Sequence, residues 1–485
     1  MKRIALLAVG LLVGRASELA AGRPPNVVLI VADDLGLQLG CYGDAQAHTP
    51  HLDRLAAQGT RFTRAYCNTS SCSPSRAEIF TGLYAHSIVS YGDAEDWNHC
   101  TTYDTVLSLP ARLAQAGYRT CSIGKHTLRP ERLYHFTDYG NPDGDVEGRG
   151  RDGAWMEQAS RKFIADAGQT PFFLYVGAID PHRAGPSIDD TGFALTLSFD
   201  GYVPHKFDPA ALAVPPWLPD TPEARGELAA YYEAISRFDQ CVGRVLKVID
   251  DTGHRDDTLV LVLSDNGPPF PGSKTTQYQP GIHLPLIVRH PQQAKRGLAC
   301  DAGVSWVDLT PTILDFCGLP QLPPGERPPR KLTNRYAAQW GDLHGRSFLP
   351  VLEQEHPQGW NRVFCGFTMH DVTVYYPMRT LLDGKMKYIF NIAHPLAYPF
   401  AGDLYGSRTW KGVLARGDKQ YGPRSIDAYM HRPRHELYDL QTDPFESHNL
   451  AADPSYAAVL KSMQEQLRAE QRRTRDPWIK KWAYE

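Results

Sequence analysis

Cys72 heads the run Cys72-Ser73-Pro74-Ser75-Arg76-Ala77-Glu78-Ile79-Phe80-Thr81-Gly82, which places a thiol ahead of a guanidinium at a spacing of i, i+4. On a helix that spacing is one turn, so Arg76 would lie beside Cys72 and stabilise negative charge there. Taken alone, the run also fits a buried cysteine followed by a Pro-Ser turn. Oxygen donors come in two distant pairs, Asp33-Asp34 and Asp265-Asn266. Either pair alone would be an ordinary turn. Together they offer three carboxylates and an amide carbonyl, the hard oxygen ligands that Ca²⁺ favours; zinc fits them poorly and magnesium stays open. His182 with Arg183, Lys125 with His126, and Lys274 complete the set. A lone histidine is ordinarily structural and a lone lysine a solvated charge, so these gain meaning from where the chain puts them.

The elements that must position them are legible as hydrophobic runs. Residues 26–32, 171–177 and 258–264 are continuous and β-branched or aromatic without alternation, the pattern of strands buried on both faces. Each ends in a polar cluster: Asp33-Asp34, Asp180-Pro181-His182 and Asp265-Asn266. Ligands in open α/β sheets bind beyond the carboxyl ends of the strands, so three such ends point to one site. Thr221-Pro222 caps a segment in which Leu228, Tyr231, Ile235, Phe238, Val242, Val245 and Ile249 recur at helical spacing up to Gly253. Strands alternating with helices predict an α/β sandwich. Residues 322–330, rich in proline and charge, read as a surface loop. After about Gly366 come short aromatic-rich segments and a charged helix over about 456–473, read as a smaller subdomain.

A chain of 485 residues with a net charge of −3 has no broad basic face for nucleic acid. Lys2 and Arg3 precede an apolar run from Ile4 to Val13, too short to span a bilayer, and Ala20, Ala21 and Gly22 suit a cleavage site. This predicts an export signal over 1–22 and a mature protein, free of the membrane, in a secreted, periplasmic or lysosomal-type compartment. The nine cysteines include no C-x-x-C pair. With Cys72 set aside, eight remain, an even number compatible with disulfides of undetermined pairing.

The Cys72 run matches C-x-P-S-R-x-x-x-x-T-G. Around it stand Thr49-Pro50-His51-Leu52-Asp53-Arg54-Leu55, Asp308-Leu309-Thr310-Pro311-Thr312-Ile313-Leu314, Glu436-Leu437-Tyr438-Asp439-Leu440, Asp443-Pro444 and Asn449-Leu450. In this order the chain resembles the type I sulfatases of the alkaline phosphatase superfamily over nearly its whole mature length. The resemblance implies an alkaline-phosphatase-like α/β sandwich over 23–365, with a large mixed, mostly parallel central sheet flanked by helices. A C-terminal subdomain over 366–485, with a short antiparallel sheet, would complete the substrate pocket. It implies that a maturation enzyme oxidises Cys72 to formylglycine, whose hydrated aldehyde attacks sulfur. One Ca²⁺ would be held by Asp33, Asp34, Asp265, Asn266 and residue 72. Arg76, Lys125 and Lys274 would stabilise the sulfuryl oxygens, and His182 with Lys274 would protonate the leaving group.

One departure stands out. The family pattern is Gly-Lys-x-His, and here Thr127 occupies the histidine's place while His126 sits one position early. His126 is expected to take the role of deprotonating the second hydroxyl. Within the family, Asp180-Pro181-His182-Arg183, Asp265-Asn266-Gly267-Pro268-Pro269-Phe270-Pro271, Tyr376-Pro377-Met378-Arg379 and Asp476-Pro477-Trp478 look like the sulfamidase branch. That implies N–S hydrolysis at a terminal N-sulfated glucosamine of heparan-type glycans, with Arg183, His370, Asp371 and Arg379 facing the sugar. The competing readings are an O-sulfatase on another sulfated glycan, a phosphonate or phosphate monoester hydrolase, and a glycan-binding homologue that Thr127 has impaired.

Overall fold

The computed structural model describes residues 24–95, 98–140, 148–184, 191–320 and 343–483; the expected export signal and the proline-rich stretch 322–330 lie outside the described residues. Strands β1 (Asn26–Ala32), β2 (Thr60–Tyr66), β3 (Arg119–Gly124), β4 (Asp138–Tyr139), β5 (Phe172–Gly177), β6 (Thr258–Ser264), β7 (Leu286–Arg289) and β8 (Leu298–Ser305) form one sheet, in the order β4-β3-β5-β1-β6-β7-β2-β8. β7 runs antiparallel to β6 and β2, and the other neighbours are parallel.

The uninterrupted run of β1 has a direct cause. Val27, Leu29 and Val31 pack into a core on one face, and Val28, Ile30 and Ala32 into a second core on the other. From Val27 to Ala32 no position is left for a polar side chain, and each buried Val, Leu or Ile contributes about 1.5–3 kcal/mol. The helix Cys72–Thr81 covers the first face through Ala77, Ile79 and Phe80. The helix Pro222–Asp251 covers the second through the periodic residues Leu228, Ile235, Phe238, Val242, Val245 and Ile249. Thr221 caps it as expected, its Oγ1 accepting from the Ala224 N–H at 3.2 Å.

Register does the positioning. Val31 pairs with Gly177 and Ala32 with Ser264, so Asp33, the loop after β5 and Asp265 leave the sheet side by side. A second, antiparallel sheet carries β9 (Arg362–Met369), β10 (Tyr375–Asp383), β11 (Met386–Asn391) and the strand His435–Asp439, in that spatial order. Its first strand starts at Arg362, ahead of the boundary expected at 366. The late helix spans Ala457–Arg473. All nine cysteines are free, so the disulfides that the eight besides Cys72 allowed are not formed; most are instead buried as small apolar side chains. Among the described residues no helix is long and apolar enough to cross a membrane.

Candidate active site

Cys72 is the first residue of its helix. Ser71 precedes it in extended backbone, and the helix ends at Gly82, whose left-handed φ of 68° lets its N–H reach the Glu78 carbonyl. All ten residues of the helix are buried. The Ser71 side chain does not cap the helix; its Oγ lies 2.8 Å from His370 Nδ1. Cys72 Sγ faces Asp33 Oδ1 at 3.4 Å. One turn on, Arg76 donates through Nε to Asp265 Oδ2 at 2.8 Å, and through Nη1 to the Lys125 carbonyl at 3.0 Å and to the Tyr175 hydroxyl. The guanidinium is thus fixed by three elements at once.

Lys125 arrives by a close approach of two strands. Gly124 has φ +79° and pairs with Gly177, where an added Cβ would stand 1.9 Å from the Lys125 carbonyl oxygen. A Cβ at Gly177 would displace Lys125, and one at Gly124 would meet the Gly177 carbonyl that accepts from the Lys125 N–H. Its Nζ lies 2.6 Å from Asp33 Oδ2. On the other side, Lys274 Nζ lies 3.0 Å from Asp34 Oδ2. Asp34 adopts φ 66°, a strained conformation for a non-glycine residue that concentrates at functional sites. Its N–H donates to Asp265 Oδ1 at 3.1 Å, and its Oδ1 accepts from Asn266 Nδ2 at 2.6 Å.

Three buried carboxylates therefore face Arg76, Lys125 and Lys274. Burial pushes Asp34 up to about 7, against the pull of Lys274, and Asp265 up to about 6 with help from Asp33. Burial acts on Asp33 too, but Lys125, His182 and Arg76 outweigh it and hold it well below the usual range. The Cys72 thiol is pushed well up by burial and by Asp33. As a thiol it is held protonated, the opposite of what a thiolate nucleophile needs.

Ligand atoms of Asp33, Asp34, Cys72 and His182 all lie within 4.8 Å of one another. Asn266 Oδ1 is buried with no hydrogen-bond partner, an acceptor that a cation would satisfy. The carboxylate and amide oxygens among these donors, from Asp33, Asp34 and Asn266, suit a hard divalent ion. Asp265 adjoins this group through the Asp34 N–H and turns its other oxygen to Arg76.

His182 follows Asp180, which Arg151 Nη1 (2.6 Å) and Arg237 Nε (2.5 Å) clamp in the interior. Its Nδ1 lies 2.5 Å from the Arg183 carbonyl and so carries the proton, leaving Nε2 3.9 Å from Asp34 Oδ2. The His126 ring instead lies 6.2 Å from Tyr139 on edge strand β4, outside the carboxylate group; burial and Arg129 lower it to about 4. Thr127 has φ 42° and a buried Oγ1 without a hydrogen-bond partner.

The four residues expected to face the sugar are placed differently from one another. Arg183 is turned into a buried ion pair with Glu227 at 2.7 Å and stacks between Phe193 and Phe270. Arg379 pairs with Asp476 at 2.7 Å, fully buried. Asp371 caps its own turn through Thr373. His370 stands beside Ser71, with Asp93 Oδ2 3.6 Å from its Nε2. Sequence reasoning missed Tyr175, Asp93 and Asp403, whose Oδ2 lies 3.2 Å from Lys274 Nζ. Tyr175 sits inside an apolar strand, and Asp93 and Asp403 sit in loop-rich segments without a motif, so nothing local marked them.

Helices on both faces of a mixed, mostly parallel sheet, with a polar cluster at the strand ends and a small antiparallel sheet beside it, make up an alkaline-phosphatase-like α/β sandwich. The sulfatase family model matches residues 25–319. The chain is 39% identical over 475 residues to human N-sulphoglucosamine sulphohydrolase, covering 95% of this chain and 92% of that protein. The chain belongs to the sulfatase family. Solved structures share the fold: a protein bound to its substrate D-glucosamine-2-N,6-O-disulfate superposes with a TM-score of 0.66 at 20% identity, covering 94% of this chain and 99% of that one. Phosphonate monoester hydrolase of Agrobacterium radiobacter superposes with a TM-score of 0.65 at 20% identity, over 93% and 96%.

Proposed function

We propose that this sulfatase is a sulfamidase, hydrolysing the N-sulfate of a terminal glucosamine in heparan-type glycans. The observation that carries this reading is the 39% identity, nearly end to end, with human N-sulphoglucosamine sulphohydrolase. The site is compatible with it: Cys72, Arg76, Lys125, His182 and Lys274 ring the Asp33-Asp34 corner.

Cys72, oxidised to formylglycine by a maturation enzyme, would supply a hydrated aldehyde in place of a thiol that burial keeps protonated. One Ca²⁺, held by Asp33, Asp34, Asp265, Asn266 and residue 72, would offset the charge of the sulfuryl oxygens. The chain's own groups do the rest. Arg76, locked by Asp265 and the Lys125 carbonyl, and the ammonium groups of Lys125 and Lys274 accept the negative charge without reorganising. His182 with Lys274 would protonate the leaving nitrogen: the bond from Nδ1 orients the His182 ring, and Lys274, which stays protonated beside Asp34, carries the proton. Residues 1–22 would export the chain to a secreted, periplasmic or lysosomal-type compartment.

Cys72→Ser tests the nucleophile. A serine hydroxyl accepts the sulfuryl group once and then holds it as a stable ester. The variant is expected to release no more than about one equivalent of amine per site. Sustained turnover by Cys72→Ser would contradict the reading.

A further inference from the structure

We propose that Asp403 makes the pocket selective for a sulfated amine over a sulfated alcohol, by pairing with the ammonium group that departs; this rests on the sulfamidase reading and deepens it. The side chains at the heart of the cluster, Asp33, Asp34, Asp265, Arg76 and Lys274, are at most 1% exposed. Exposure rises at His182 (24%), Asp403 (23%) and Asp93 (25%). The cluster therefore opens to solvent past these groups, and a leaving group bound in line from residue 72 would meet them.

Asp403 lies on the short helix Gly402–Tyr405, contributed by the C-terminal part of the chain. Its Oδ1 accepts from the Leu404 N–H at 2.9 Å and its Oδ2 from Lys274 Nζ at 3.2 Å. That fixes the carboxylate's orientation and uses two of its roughly four acceptor positions. Burial alone would raise Asp403, but Lys274, His370 and His182 outweigh it and keep it anionic. Lys274 already has a carboxylate partner in Asp34 at 3.0 Å. A second acid on the same buried lysine, with Asp93 nearby on His370, gives the mouth an anionic side.

The two reaction types differ in the charge that such a mouth would meet. When an S–N bond is hydrolysed, its electron pair stays on nitrogen, water's oxygen goes to sulfur, and both water protons go to nitrogen. R–NH–SO₃⁻ and H₂O become R–NH₃⁺ and SO₄²⁻. When an S–O bond is hydrolysed, the leaving oxygen keeps the pair, takes one proton and departs as a neutral alcohol. Positive charge thus develops on the leaving group of a sulfamate alone, and a fixed carboxylate with free acceptor positions stabilises it. The substrate class that follows is the N-sulfate of a primary amine on an amino sugar.

The test compares kcat/KM for N-sulfoglucosamine and for 4-nitrophenyl sulfate in the same preparation of matured, metal-loaded enzyme, so that the folded fraction cancels in the ratio. In Asp403→Asn the ratio of sulfamate to ester activity is expected to fall roughly tenfold to a hundredfold, the effect of losing one charge-assisted contact. Inhibition by glucosamine should weaken in parallel, whereas inhibition by inorganic sulfate should not follow it. Asp403→Glu, which keeps the charge, should recover most of the ratio. An equal fall on both substrates, or loss of both, would assign Asp403 to holding Lys274 and overturn the inference alone. A wild type that hydrolyses nitrophenyl sulfate but not N-sulfoglucosamine would overturn the sulfamidase reading, and this inference with it.

Discussion

At the scale of single residues, the site separates groups that adjoin in sequence. His126 and Thr127 are neighbours, yet the His126 ring faces Tyr139 while Thr127 sits at φ 42° with an unpaired hydroxyl. A general base contributes about 10²–10⁴-fold to a rate. A ring outside the carboxylate group should contribute much less, so His126→Ala is expected to lower kcat by less than about tenfold. A hundredfold loss, with KM held, would show that the loop moves in the substrate complex and carries His126 inward. Arg183 and Arg379 make a related point. Both were expected at the sugar because of their motifs, and both turn out to neutralise a distant buried acid, Glu227 and Asp476. Sequence shows that an arginine is present but not which carboxylate it will meet many residues away, and a buried guanidinium needs one.

At the scale of elements, the helix that carries Cys72 is held from behind by Glu78. Its Oε1 accepts from the Thr69 hydroxyl at 3.1 Å and the Ala85 N–H at 2.9 Å, tying the helix to the segments before and after it. Burial raises Glu78 from 4.5 to about 8, with those hydrogen bonds opposing. The folded state thus keeps a proton that the unfolded chain releases between about pH 4.5 and 8. Its stabilising contribution is complete below that window and is lost as pH rises through it. Glu78→Gln keeps the acceptor and cannot ionise. Its Tm relative to wild type should therefore climb as pH rises from 4.5 to 8, measured by thermal melts across that range. A difference independent of pH would show that Glu78 ionises freely in the folded chain. The strands were the most legible elements, because burial on both faces forbids polar residues and leaves an unmistakable run. The long helix was legible for a similar reason, through one apolar stripe and a Thr-Pro start. The eight-strand order was not, since pairing such as β2 with β8 depends on contacts that no local pattern records.

At the scale of the whole molecule, the C-terminal sheet and the central sheet meet at the site. Lys274 reaches Asp403, and Ser71, next to Cys72, reaches His370. The catalytic floor was readable from strand ends and one motif because those residues are set by register. The mouth was not, because it is assembled from loops brought together across more than a hundred residues. The proposed reaction requires that position 72 act as something other than a thiol. Intact-peptide mass spectrometry across Cys72 on enzyme from its native host, with sulfate release from N-sulfoglucosamine followed on the same sample, tests it most directly. The expected result is a mass loss matching conversion of the thiol to an aldehyde, in step with free sulfate. Full activity in protein whose Cys72 is an unmodified thiol would contradict it.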